Sequence, residues 1–367
     1  MSSSVSWHSA RPTGRRSSAF DVSSLSGALP LTGERRARKE MLVKPPSPSA
    51  GYLAVASEPP AKLAPAAKTV ADPPAPLVVV LSLNNTLLFR AKRTTRGSAM
   101  PIVRPYLSTF LEYLCGSHLV AAGSAAGVPR AFKPVVYSAA RAHNVLTLLH
   151  AVGLVPSDAT TGDDGVYRTR AEAGDVLAAV LSRESMGMTD ADYRRDVEAV
   201  KDLRKVWSTL ELDEDDGAKR TVLLEEEEHA AAAQPHSRLP IVPFFLSNPS
   251  QTLSRHSVRE VPSSAGDDTA LLVTIHLLEL LRAEANAPAA LKGPHGLIRH
   301  AEDAARSAVR ARDGRGERNS VSEKEVREEL ARKGREVCAL YGVKVRREWD
   351  GDWRKRVVQA REKEEHS

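Results

Sequence analysis

Residues 78–90 read VVVLSLNNTLLFR. The run opens with three valines and a leucine, passes through Ser82, Asn84, Asn85 and Thr86, and turns apolar again. A short β-branched run with no polar alternation predicts a parallel strand buried on both faces. Polar turn formers directly behind it predict that the strand ends in a loop. In a parallel α/β sheet such a strand end is where ligand-binding groups gather. Here it carries amides and hydroxyls but no acid.

The same logic extends outward in both directions. A polar loop is expected over Ala91–Met100. Pro105 then opens a helix whose Leu107, Phe110, Leu111 and Leu114 fall at i, i+3, i+4 and i+7. Pro134–Ser138 (PVVYS) predicts a second buried strand, followed by an amphipathic helix through Val145, Leu148 and Leu149 that stops near Gly153. Residues 155–195 read as a polar insertion with a helix around Val176–Leu181. Val200, Leu203, Val206 and Trp207 mark a further helix, Thr221–Leu224 and Pro240–Phe245 two more strands, and Leu271–Leu281 a strongly apolar helix. Strands alternating with helices imply right-handed crossovers and an α/β, doubly wound parallel sheet flanked by helices.

The chain has 367 residues, 42% of them hydrophobic and only 5% aromatic, so its core is aliphatic. The net charge of +6 is mild and does not by itself call for nucleic acid. No apolar run reaches the ~20 residues a membrane helix needs. The two cysteines, Cys115 and Cys338, have neither metal-site nor disulfide spacing and read as buried thiols. Residues 1–75 are rich in Ser, Pro, Ala and Arg and are expected to be disordered or a targeting segment. Asp21 is the sole acid before Glu34, beside Arg11, Arg15 and Arg16, which suits mitochondrial import; nucleus and cytoplasm are the alternatives. The main domain is placed at 76–290. A charged helical extension over 291–367 is expected to pack weakly on it, with Ser322 and Glu325 as a capping box. Trp349 and Trp353 are expected to anchor that extension, and the acidic run Glu211–Asp216 to be a solvent loop.

Four stretches now stand in order: LSLNNTLL (81–88), VVYSAAR (135–141), VKDLRKVW (200–207) and TVLLEEEE (221–228). With RPYLSTFLEYL (104–114), they resemble the haloacid-dehalogenase (HAD) phosphatases of the RNA polymerase II C-terminal-domain type. A domain of this type also occurs in the presequence-receptor subunit of the mitochondrial inner-membrane translocase. The resemblance spans roughly residues 77–285. It implies that Ser82 and Asn84 stand where active relatives carry a nucleophilic and a general-acid aspartate, with Thr86 retained. It further implies that Ser138 matches a phosphate-binding hydroxyl and Lys201 a charge-neutralising lysine. Glu225 and Glu226 match an acidic pair that helps hold Mg²⁺.

Chemistry sets the expectation. A serine hydroxyl has no charge with which to bind Mg²⁺ or attack phosphorus, and a carboxamide cannot deliver a proton. Glutamate in place of aspartate shifts the charge by one methylene, which matters to an ion that demands octahedral geometry. The leading expectation is a pseudophosphatase that binds a protein or peptide, with no cofactor. Its most concrete relative is the translocase subunit. Alternatives are a residual Mg²⁺-dependent serine/threonine phosphatase, and a regulator that docks phosphoserine through Ser138 and Lys201. Bland readings stand beside these: Thr86 as a turn hydroxyl, Ser138 as a helix cap, Lys201 paired with Glu225 or Glu226, Glu225–Glu228 as a solvated loop, Arg141 and His143 as surface residues.

Overall fold

A computed structural model describes residues 46–63, 76–90, 100–116, 131–168, 176–188, 192, 198–247, 251–255, 258–263, 267–293, 295–314 and 320–365. Residues 1–45, most of the stretch expected to be disordered or a targeting segment, and most of the loop at 91–100 lie outside these. Ten strands are described: β1 Leu77–Leu81, β2 Leu88–Phe89, β3 Ile102–Val103, β4 Phe132–Tyr137, β5 Val166–Arg168, β6 Ala179–Leu181, β7 Thr221–Glu225, β8 Arg238–Pro240, β9 Leu253–Arg255 and β10 Val258–Glu260. Six form the main sheet in the order β5-β6-β4-β1-β7-β8, parallel except for β5. The other four form a small sheet, β2-β3-β10-β9.

β1 lies inside the main sheet and all five of its residues are buried. Its alternation splits the core into two layers. Leu77, Val79 and Leu81 meet Phe110, Leu271 and Ile275 on one face. Val78 and Val80 meet Tyr52, Leu203, Val206 and Trp207 on the other. With both faces covered by helices, no polar alternation is needed, which is why the strand reads as a continuous apolar run.

Two strand assignments change. Val176–Leu181 was expected to be helical, yet Ala179–Leu181 is β6, hydrogen-bonded to β4. Its three residues are buried on both faces, so it shows no period-two signal, and a short apolar run cannot be told from helix by pattern. The strand expected at Pro240–Phe245 ends at Pro240. Pro240 and Pro243 lack the N–H a ladder needs. The chain instead turns back to the β1 loop, where Phe244 N donates to Asn85 O at 2.6 Å.

The chain ends also differ from expectation. Part of the stretch read as unpacked, residues 46–63, is ordered against the domain. Ser49 caps a helix Ala50–Val55 by accepting from Tyr52 N at 3.1 Å. Tyr52 is fully buried, and its hydroxyl accepts from His236 N at 2.8 Å. Six helical residues are too few to register as a periodic segment. The 291–367 segment does not pack weakly. It holds the helices Leu297–Arg312, Glu323–Leu340 and Trp353–Glu365. Trp353 is fully buried and donates Nε1–H to Val152 O at 3.1 Å, the anchoring role expected of it. The Ser322–Glu325 capping box is present. In the acidic run, Asp213 caps a short helix, Glu214–Lys219, so the stretch is more than a loop. Both cysteines are buried in helices, and neither forms a disulfide.

Candidate functional site at the carboxyl edge of the sheet

Register brings the predicted residues together. Leu81 pairs with Leu224 on β7 and with Val136 on β4, so Ser82, Glu225 and Ser138 all arrive at one edge. Lys201 comes from the segment before the helix Leu203–Thr209, and its N–H donates to Ala230 O at 2.8 Å. Its buried ammonium donates to Ser82 Oγ at 2.7 Å and pairs with the Glu225 carboxylate. Ser82, Lys201 and Glu225 are each at most 5% exposed, so this is a dry ion pair with a hydroxyl attached.

A second pair lies beside it. Thr86 is fully buried and its hydroxyl donates to Glu226 Oε2. Burial, then the neighbouring Glu225 charge, push the Glu226 carboxyl up to about 8. Burial works against the charge on Glu225 too, but the Lys201 ammonium and hydrogen bonds from Glu226 and Glu227 N prevail and hold it below the ordinary glutamate range. One acid is thus an anion matched to a lysine, and its neighbour keeps its proton near neutral pH. Asn84 faces the same loop, and its buried Oδ1 has no hydrogen-bond partner among the described residues.

Other predicted positions take structural places. Ser138 does not cap the helix Ala142–Ala151; its Oγ accepts from Ala140 N at 3.3 Å. Glu184 accepts from Ala142 N at the head of that helix instead. Arg141 and His143 are exposed. Glu225 is not in a solvated loop but closes β7, whereas Glu228 is exposed.

Two positioning residues escaped the sequence reading. Arg104 is 1% exposed and ties the β1 loop to distant segments. It donates to Thr86 O at 2.9 Å, to Val242 O at 2.8 Å and to both oxygens of Asp268. Gln234 accepts from Leu203 N at 2.9 Å and donates to Asp202 Oδ1 at 3.0 Å, holding the turn that delivers Lys201. An arginine before a helix-opening proline was a signal for the first. Nothing local marked the second.

Mg²⁺ is the ion that the resemblance implies at this edge. Mg²⁺ is held by carboxylates and waters in a near-octahedral shell. Here Ser82 and Asn84 are neutral, Glu226 is protonated near neutral pH, and the Glu225 charge is already matched by Lys201. Among the described residues no group of three His, Cys, Asp or Glu side chains is placed to hold a metal. The residues do not fit the ion as they stand.

No protein-family model matches the chain. Over 178 residues it is 25% identical to an FCP1 homology domain-containing protein of Schizosaccharomyces pombe. The aligned part is 46% of this chain and 61% of the relative, so less than two thirds of the relative's length is spanned. That similarity and the mostly parallel, helix-flanked sheet agree. The domain is HAD-like and phosphatase-like. Among the described residues of this phosphatase-like domain, no helix is long and apolar enough to cross a membrane.

Proposed function

We propose that this phosphatase-like domain is non-catalytic and acts by binding a protein or peptide. One observation carries the reading: the Lys201 ammonium is bonded to both Ser82 Oγ and the Glu225 carboxylate. The position that would need an anionic nucleophile holds a hydroxyl whose lone pair already faces a cation. No base among the described residues accepts the Ser82 proton. Such an oxygen cannot form a phosphoryl–enzyme bond at a useful rate. The lysine, matched by Glu225, brings little net positive charge to a phosphate. An exposed aromatic supports the binding role. Phe245 is 47% exposed and follows Phe244, which is bonded to the strand-end loop at Asn85. Aromatic side chains, phenylalanine among them, are enriched in protein interfaces relative to the rest of the surface.

A residual phosphatase has one specific point in its favour. Glu226 keeps a proton near neutral pH and could serve as a general acid where Asn84 cannot. One assay separates the two readings. The full chain is given an aryl phosphate and a phosphoserine peptide, with and without Mg²⁺. The binding reading expects no turnover beyond that of Ser82→Ala. Mg²⁺-dependent turnover that persists through purification and falls in Glu226→Gln overturns it. A photo-crosslinker at position 245 then reports the binding role. A discrete cross-linked partner, displaced by excess unlabelled protein, is the expected result.

A further inference from the structure

Away from the sheet edge, a cavity of about 650 Å³ opens between the helices Ala270–Arg282, Leu297–Arg312 and Glu323–Leu340. Its size is that of a small-molecule site. We propose that it binds a free, single-chain amphiphile with a carboxylate head, such as a medium-chain fatty acid.

The sequence explains why the space is open. Ala301, Ala304, Ala305 and Ala308 fall at i, i+3, i+4 and i+7 and present methyl groups along one wall. The same helix carries Val309 where it is buried against the domain, and Leu297 joins the cavity lining. Leucines at the alanine positions would fill the gap between the helices. Leu280 and Leu330 complete an apolar lining suited to an alkyl chain.

The polar groups suit an anionic head. His276 and Lys333 both line the cavity and lie close enough for the lysine to act on the imidazole. They offer a neutral N–H donor beside an ammonium. The acids on the lining are already compensated. Glu284 is paired with Lys62, and Glu329 with Arg312 and Arg332. Lys333 also reaches Glu336 at 3.1 Å, but both side chains are more than two-fifths exposed, so that pair is well screened. The lining therefore presents donors without an uncompensated negative charge. It is also roofed on one side by Pro60 and Lys62, which suits a molecule taken up singly better than a membrane surface.

The test uses the delipidated full chain, with cis-parinaric acid as fluorescent probe and dodecanoate, dodecanol and methyl dodecanoate as competitors. The expected result is saturable, one-to-one binding in which dodecanoate competes better than either uncharged analogue. Ala308→Phe, which adds a ring to the cavity wall and narrows the space, should weaken binding at least about tenfold. Lys333→Glu should weaken dodecanoate by about tenfold and leave dodecanol unchanged. This second variant, at a half-buried position, decides the matter should Ala308→Phe fail to fold. Absence of saturable binding, equal affinity for dodecanol and dodecanoate, or indifference to Lys333→Glu would overturn the proposal. So would association with anionic vesicles in the absence of binding to the monomeric acid.

Discussion

At the scale of single residues, Lys201 is held by two partners and holds them in turn. Removing one member of a buried ion pair strands the other charge, at a cost of about 3–5 kcal/mol. Lys201→Met should therefore destabilise the domain by that order, read from urea denaturation at neutral pH. Adding Glu225→Gln to it should recover much of the loss, because no charge is then left unpaired. Glu226 makes the opposite case. Its carboxyl is raised from the ordinary 4.5 to about 8, so the folded state holds a proton that the unfolded state releases. The stability this contributes is complete below the ordinary glutamate range and is lost as pH rises through about 8. Glu226→Gln, neutral at every pH, should gain stability relative to wild type as pH rises across that window. A flat difference between the two denaturation series would show that the carboxyl is not raised. Ser82 and Thr86 were legible as polar residues at a strand end, and Lys201 and the two glutamates were implied by the resemblance; the fold brings them to one sheet edge. Arg104 and Gln234 were not legible. They work through groups such as Val242 O and Leu203 N, and a backbone acceptor or donor leaves no mark on residue type.

At the scale of elements, the buried strands β1, β4 and β7 were legible as apolar runs bounded by breakers, and the helix Ala270–Arg282 was legible from its length. β6 was not, because strand and helix present the same short apolar string when every face is covered. The C-terminal helices were underrated for a related reason. Their charged residues dominate the composition, while part of the contact with the domain is made by small ones. Gly334 lies against the helix Ala270–Arg282 so closely that an added Cβ would sit 2.0 Å from Leu272 O. In an exposed helix, Gly→Ala stabilises by roughly 1 kcal/mol through chain entropy and helix propensity. Here the sign should reverse. Gly334→Ala forces the two helices apart and should cost roughly 1–3 kcal/mol or more, as overpacking does. Thermal denaturation of Gly334→Ala beside Ala339→Gly, a change at an exposed position on the same helix, checks it. A stabilised Gly334→Ala would mean that the two helices do not touch as described.

At the scale of the whole molecule, both flanking segments are tied into the phosphatase-like domain. Leu63 N donates to Ala283 O and Ala285 N to Ala61 O, so the 46–63 segment is laced to the end of the helix Ala270–Arg282. On the far side Trp353 reaches the turn after the helix Ala142–Ala151, and Arg346 and Arg356 both pair with Glu112 on the helix Leu107–Cys115. The C-terminal helices thus complete the layer that begins with β1, and the domain should not behave as a core with a detachable tail. Trp353→Ala is the sharpest test of that integration. It removes a fully buried indole and leaves Val152 O without its donor. Truncating a buried tryptophan costs about 3–5 kcal/mol, a large share of the 5–15 kcal/mol by which domains are stable. The expected outcome is one cooperative transition, shifted to lower denaturant, with helix content by circular dichroism and the remaining tryptophan fluorescence moving together. Two separated transitions, with the sheet domain unaffected and only the C-terminal helices lost early, would show that the extension folds apart from the sheet domain.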